Sequence, residues 1–146
     1  MKKDFNFALR NIKTEQFAFF ESVFDNTSPI QIKGSVNFGI NDVDHFIACT
    51  SHFEFLNNEK PFLAIQIICE FEVEATSWVQ FVNKQKTQIE FPVDILKHLI
   101  SINIGISRGV VHSKTDSINP SFIFPLINLD ALVKENHIYK FKKDKS

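Results

Sequence analysis

The stretch Ile-Gln-Ile-Lys-Gly-Ser-Val-Asn-Phe-Gly-Ile, residues 30–40, decides the fold. Its large apolar side chains occupy even positions only, and the positions between them are polar or glycine. Because successive side chains of a strand point to opposite faces, this alternation predicts a β-strand with one buried face and one wet face.

The segments around this stretch predict three further strands, over residues 5–24, 45–56 and 62–74. In the last of these, six apolar residues share one parity and predict a buried face: Leu63, Ile65, Ile67, Cys69, Phe71 and Val73. The connections between the strands are short and polar, as at Asp25–Pro29. Short connections predict an antiparallel meander, since parallel neighbours need long crossovers.

After residue 74 the hydrophobic period changes from two to 3.6, which predicts helices. Thr76 or Ser77 is a candidate cap for a short helix that carries Trp78 and Phe81. Phe91-Pro92 opens a longer helix, with proline at the first helical position. A polar loop is predicted over residues 111–121, followed by an extended apolar stretch and a helical turn from residue 130. The fold class predicted is therefore α+β, a four-stranded antiparallel sheet followed by a short and a long helix.

The apolar arc of the long helix is unusually wide, which predicts packing on its own sheet and on a second subunit. Gly105 and Gly109 lie four residues apart and either permit close backbone approach or mark fraying of the helix end. The residues predicted at an oligomer interface are Leu99, Ile102, Ile106, Gly105 and Gly109.

Length and charge bound the class of protein. At 146 residues the chain suits one domain, predicted over residues 1–139, with a basic and disordered tail over residues 140–146. The formal net charge of -1 gives no reason to expect nucleic acid or an anionic membrane as a partner. Isolated Cys49 and Cys69 predict reduced, buried thiols, and the charged N-terminus lacks the apolar core of a signal peptide. We therefore expect a cytoplasmic protein without a membrane span.

Catalytic and metal motifs are weak in this sequence. Asp94, His98 and Ser101 line one face of the long helix, but a helix supplies neither an oxyanion hole nor a rigid nucleophile turn. His45, Cys49 and His52 do not converge on one side of a strand, as zinc ligands must. Phosphate-binding glycine loops, GxSxG and HExxH are absent. The expectation is a protein that is not an enzyme and needs no cofactor.

Phenylalanine is the compositional signal, with 17 residues against one Trp and one Tyr. A phenyl ring buries a large apolar area and brings no polar group, which favours a hydrophobic binder. The residues predicted to contact a bound client are Phe53, Phe55, Trp78, Phe81, Phe122 and Phe124. The alternative for each of them is ordinary core packing.

The order of these elements, together with three motifs, resembles the SecB family of chaperones. The motifs are Phe91-Pro92, Ser107-Arg108-Gly109 and the stretch Pro125-Leu-Ile-Asn-Leu-Asp-Ala-Leu132. The resemblance implies an ATP-independent homotetramer whose hydrophobic grooves hold unfolded polypeptide, either preproteins for export or a cognate antitoxin of a toxin-antitoxin system. In the family an acidic surface contacts the SecA motor; here Glu15 matches part of it and Ile65 departs from it, so SecA binding is in doubt.

A second class of function stays open at this point. A small-ligand-binding α+β module with a phenylalanine-lined pocket has the same composition, but it predicts an enclosed cavity and a monomer or dimer. The chaperone predicts a tetramer with open grooves.

Overall fold

The computed structural model of the chain describes residues 4–117 and 122–142. Its elements confirm the predicted α+β class, with a four-stranded antiparallel sheet followed by helices. In chain order they are β1 (Phe7–Phe19), β2 (Ile30–Asn41), β3 (Phe46–Asn57), β4 (Lys60–Val73), α1 (Ala75–Val79), β5 (Gln88–Phe91), α2 (Val93–Thr115), α3 (Leu129–Leu132) and β6 (His137–Lys140).

The sheet is not a simple meander, because its strand order is β1-β4-β3-β2. Strands β2, β3 and β4 follow one another as predicted, but β1 pairs with β4 and lies at the far edge from β2. The segment 20–29 makes this possible, since ten residues are enough to carry the chain across the end of the sheet. The backbone N–H of Phe20 anchors that crossing by donating to the carbonyl of Phe62 at 2.7 Å.

One face of the sheet forms the core. The six apolar residues predicted to share a face of β4 are all buried, which confirms the parity read from the sequence. The opposite face carries charge, where Arg10 pairs with Glu72 at 3.0 Å and Lys13 with Glu70 at 3.5 Å. This two-faced character is typical of an antiparallel sheet with one solvated side.

A buried polar cluster fixes α2 on the sheet. The side-chain amide of Asn103 donates to the backbone carbonyls of Cys49 at 2.8 Å and Ile67 at 3.1 Å. Its carbonyl oxygen accepts from the Ser51 hydroxyl at 2.5 Å, and the Ser107 hydroxyl donates to the Asn103 backbone carbonyl at 2.9 Å. Because buried polar groups are costly unless they are paired, this cluster defines one position of the helix along β3 and β4.

Helix α2 extends further than the sequence predicted. Residues 111–115 belong to the helix, so the predicted loop begins too early. Val111 and Thr115 lie one turn apart on the buried side, and the Thr115 hydroxyl donates to the Val111 carbonyl at 2.7 Å. Burial of these two side chains stabilises the helix here although the other residues of the turn are polar. The rest of the predicted loop falls partly on residues 118–121, which lie outside the described residues.

The short elements differ in detail from the expectation. Helix α1 begins after Glu74 without a side-chain cap, and Ser77 instead accepts a hydrogen bond from the Asn6 backbone at 2.9 Å. Strands β5 and β6 form a two-stranded sheet that the sequence did not predict. Lys140, assigned to the tail, is the last residue of β6, while residues 143–146 lie outside the described part. Among the described residues, no helix combines the length and apolarity needed to cross a membrane.

Candidate functional site

Residues 122–127 belong to no helix or strand and pack on the buried face of the sheet; we call them the 122–127 segment. Phe122 and Phe124 point into the protein and are buried, whereas Ile123 and Leu126 are 69% and 91% exposed. Burial alternates over Phe122, Ile123 and Phe124, as it does where successive side chains point to opposite sides, so the two rings enter the core together.

The core beneath this segment contains phenylalanine rings from the sheet and the 20–29 crossing. The Phe122 ring lies 4.9 Å from that of Phe55 and 5.3 Å from that of Phe62, centroid to centroid. Phe124 meets Phe55 at 5.1 Å and Phe53 at 5.5 Å, both edge to face. We call the rings that contact the segment from below the aromatic floor; they are Phe24, Phe53, Phe55 and Phe62.

Few polar contacts hold the segment in place. Arg108 of α2 donates to the carbonyl of Pro125 at 3.3 Å, and its guanidinium lies 5.3 Å from the centre of the Phe124 ring. Within the described residues, no backbone–backbone hydrogen bond involves residues 122–127. Among the described residues, the segment is held by the packing of Phe122, Phe124 and Ile127 on the core and by its contact with Arg108.

The motif at the end of the segment has a structural role. Asn128 caps α3, because its side-chain oxygen accepts from the backbone N–H of Asp130 at 3.0 Å. Asp130 also forms an ion pair with Lys97 of α2. These contacts attach α3 to the long helix and fix the point where the segment ends.

The six predicted client-contacting residues fall into two separate clusters. Phe53, Phe55, Phe122 and Phe124 meet at the aromatic floor, and all four are buried. Trp78 is also buried, where it stacks on His45 at 4.9 Å and meets Phe91 at 5.5 Å. Phe81 is half-buried and packs 5.5 Å from Phe91. These rings are core in the free chain, and contact with a client stays a prediction.

The predicted oligomer residues also divide. Leu99 is fully buried against the chain's own core, so it is not free to meet a second subunit. Ile102 and Ile106 are half-buried, and Gly105 and Gly109 are exposed. A Cβ atom at either glycine would meet no described atom within 4 Å. The outer face of α2 therefore has space at both glycines, and the assembly stays a prediction.

The sequence analysis missed the apolar side chains at the two edges of the sheet. On β1, Leu9 and Ile12 are 38% and 47% exposed and lie opposite buried residues of β4. On β2, Ile30 and Ile32 are 39% and 41% exposed. The alternation of residues 30–40 predicted burial of Ile30 and Ile32, which is wrong at these two positions. The strand order explains why, since β1 and β2 are the outer strands and α2 packs on β3 and β4. The sequence holds no signal for this.

The residues of the weak catalytic and metal patterns lie in ordinary structural environments. Asp94, His98 and Ser101 are exposed on α2, and the Ser101 hydroxyl donates to the backbone carbonyl of His98 at 2.7 Å. Cys49 points into the core while His52 lies on the other face of β3. Within residues 4–117 and 122–142, no three histidine, cysteine or acidic side chains form a group suited to a metal ion.

Both thiols are poor nucleophiles at neutral pH. Burial raises the pKa of Cys69 to about 11. Burial, and secondarily the neighbouring Cys69, raise the pKa of Cys49 still further. Since the thiolate is the reactive form, these cysteines behave as small apolar core residues.

The described depressions of the surface are open to solvent. They have volumes of about 460, 410, 310 and 140 Å³, and each is lined partly by charged or polar side chains. Comparisons with protein-family models, with curated proteins and with solved structures found no match for this chain.

Proposed function

We propose that this chain is an ATP-independent chaperone of the SecB type that holds unfolded polypeptide. Its client is either a preprotein for export or a cognate antitoxin, and its working form is a homotetramer. The proposal joins the motif resemblance to one observation, namely that apolar side chains stand at both open edges of the sheet.

The open edges support the proposal because an unfolded client offers what such an edge binds, namely unpaired backbone groups and apolar side chains. Strands β1 and β2 are the outer strands of the described sheet, so each has one side without a neighbouring strand. An extended client pairs its backbone with such an edge, and that pairing is independent of client sequence. Apolar side chains beside the edge, such as Ile12 and Ile32, add contact at ~25 cal/mol per Å² buried.

The geometry gives less support to the small-ligand alternative. A ligand site of that class is typically a concave pocket that encloses most of the ligand. The depressions described above are open, and the rings of the aromatic floor pack against the chain's own Phe122 and Phe124.

Between the two clients, charge favours the antitoxin over export. Docking to the SecA motor relies on an acidic surface in the family that the chain resembles. Here Glu70 and Glu72 are each paired with a basic side chain of β1, which lowers the negative potential of that face.

A light-scattering assay of client aggregation tests the proposal. The chain at one equivalent, without ATP, is expected to slow the aggregation of a denatured client or of the cognate antitoxin. Ile12→Lys and Ile32→Lys each place a charge at an edge and are expected to weaken client affinity about tenfold, or ~1.4 kcal/mol. Val43→Lys is the matched control, because Val43 is 83% exposed in the turn between β2 and β3.

The result that contradicts the proposal is unchanged aggregation of both general clients and the antitoxin in the presence of the wild-type chain. Equal activity of the edge variants and the control would show that the client binds elsewhere than at the edges of the sheet. A stable 16.9 kDa monomer in multi-angle light scattering would contradict the SecB-type assembly.

A further inference from the structure

We propose that Cys49 and Cys69 form a redox site, which hydrogen peroxide oxidises to a disulfide that joins the two central strands of the sheet beneath α2. In the reduced form the two residues are small members of the core, and in the oxidised form they are a covalent cross-link. The site does not depend on the proposed function, because it is built from the pairing of β3 with β4 and involves no client.

The strand register places the two cysteines directly opposite each other. Cys49 of β3 and Cys69 of β4 are Cα partners in the antiparallel ladder, although they lie far apart in the sequence. Directly opposite residues of such a ladder have Cα atoms about 4.5–5.5 Å apart. A disulfide needs a Cα separation of roughly 4.4–6.8 Å. The backbone is therefore already placed for the bond.

Both thiols lie on the same face of the sheet. Opposite residues of paired strands share a face, and both cysteine side chains are fully buried in the core on that face. The charge of one thiolate is felt by the other group, since Cys69 contributes to the raised pKa of Cys49. The sequence contains only these two cysteines, so within the chain each thiol has the other as its sole partner for a disulfide.

Helix α2 covers the pair and controls access to it. The Asn103 side chain donates to the backbone carbonyl of Cys49 at 2.8 Å and to that of Ile67, two residues before Cys69, at 3.1 Å. Both thiols are 0% exposed, and peroxide reacts with an accessible thiolate. Oxidation therefore requires a local opening in which α2 lifts from β3 and β4.

The reaction balances with one hydrogen peroxide as the oxidant. In the opened sheet the thiolate of one cysteine attacks peroxide, the O–O bond breaks, and the products are a sulfenic acid and hydroxide, which takes up the thiol proton to give water. The second thiolate then attacks the sulfenic sulfur, the S–S bond forms, and hydroxide leaves and is protonated to a second water. The two sulfur atoms together lose two electrons, and peroxide gains them.

Mass spectrometry of the full chain after treatment with hydrogen peroxide tests whether the bond forms. Wild type is expected to lose two hydrogen atoms and to yield a peptide in which Cys49 is linked to Cys69. Cys69→Ser leaves no second thiol and is expected to stop at a sulfenic acid, which dimedone traps.

The rate of closure tests the role of α2. Asn103→Ala removes two hydrogen bonds that hold the helix on the sheet, and it is expected to speed disulfide formation at least about tenfold. Ser101→Ala is the control on the same helix, because Ser101 is exposed, and it is expected to be oxidised at the wild-type rate.

A stability measurement tests whether the folded sheet accommodates the bond. The control pair, Cys69→Ala/Ile67→Cys, moves the second thiol to a position diagonal to Cys49, at a separation of about 7–8 Å, which is too far for a disulfide without backbone movement. Urea denaturation of the oxidised and reduced forms is expected to show that the bond raises the folding equilibrium constant of wild type at least about tenfold. The bond in the control pair is expected to lower it.

Each outcome bears on a different part of the proposal. Absence of the linked peptide from oxidised wild type, or an oxidised wild type no more stable than the reduced protein, would overturn the redox site. Equal rates of closure in wild type and Asn103→Ala would overturn the control of access by α2. A chain that forms the disulfide but binds no unfolded client would refute the proposed function and leave the redox site standing.

Discussion

Asn103 joins α2 to two strands at once, and replacing it by alanine removes that connection. The side chain is fully buried and makes hydrogen bonds to the backbone of β3, to the backbone of β4 and to the Ser51 hydroxyl. Alanine is compatible with the helix, so the effect of Asn103→Ala reports the lost contacts rather than helix propensity.

The magnitude follows from the contacts that disappear. Two hydrogen bonds to backbone carbonyls are lost, each worth about 1 kcal/mol. The Ser51 hydroxyl loses its acceptor at 2.5 Å, and among the described residues the Ser107 hydroxyl, 3.3 Å away, is the partner that remains. This loss and the cavity left by the side chain together add about 1 kcal/mol. We expect the free energy of unfolding to fall by about 3 kcal/mol.

Urea denaturation followed by circular dichroism measures this change. Ser101→Ala is the matched control on the same helix, because Ser101 is exposed and its hydroxyl donates to the His98 backbone carbonyl. Its effect is expected to stay within about 0.5 kcal/mol. A loss below about 1 kcal/mol for Asn103→Ala would refute the reasoning that the buried polar cluster anchors the helix.

Two further predictions concern the sheet. Gly34→Ala places a Cβ 2.7 Å from the Phe53 ring and is expected to lower the free energy of unfolding by about 1–3 kcal/mol. Gly39→Ala is the control, because the nearest atom to its Cβ is 3.8 Å away, and a urea titration is expected to show a much smaller loss of stability. A loss no larger for the first variant than for the second would mean that the ring moves aside freely. The pKa of Cys69 is raised by burial from 9.0 to about 11, so the stability it contributes is complete below pH 9 and is lost as the pH rises towards 11. Cys69→Ala is therefore expected to remove the part of the alkaline loss of stability that Cys69 causes, about 1.4 kcal/mol per pH unit. The same decline of stability with pH in wild type and in the variant would contradict the raised pKa of Cys69.

The strands and the long helix were predictable because local patterns determine them. The parity of β4 predicts a buried face that the structure confirms. On β2 the alternation is only partly realised, because Val36, Phe38 and Ile40 are half-buried while Ile30 and Ile32 are exposed. Pairing of β1 with β4 was not predictable, since the choice of neighbour depends on contacts between residues far apart in sequence. Strands β5 and β6 were missed for the same reason, because each has only four residues and is stabilised mainly by the other.

The candidate site was only partly predictable. Composition indicates that phenylalanine matters, and the apolar run around Phe122 and Phe124 indicates an extended segment. Whether a ring is core or surface depends on what covers it, and the segment that covers Phe53 and Phe55 lies almost 70 residues further along the chain. The exposed edges at Leu9 and Ile12 depend on strand order, which alternation does not encode.

The central claim is that this chain binds polypeptide because it is unfolded, and one titration tests it most directly. A single labelled protein is prepared in its native form and in a permanently unfolded, reduced and alkylated form, and each is titrated with the chain without nucleotide. Fluorescence anisotropy is expected to show saturable binding of the unfolded form and none of the native form. Absence of binding to the unfolded form, or equal binding to both forms, would contradict the account.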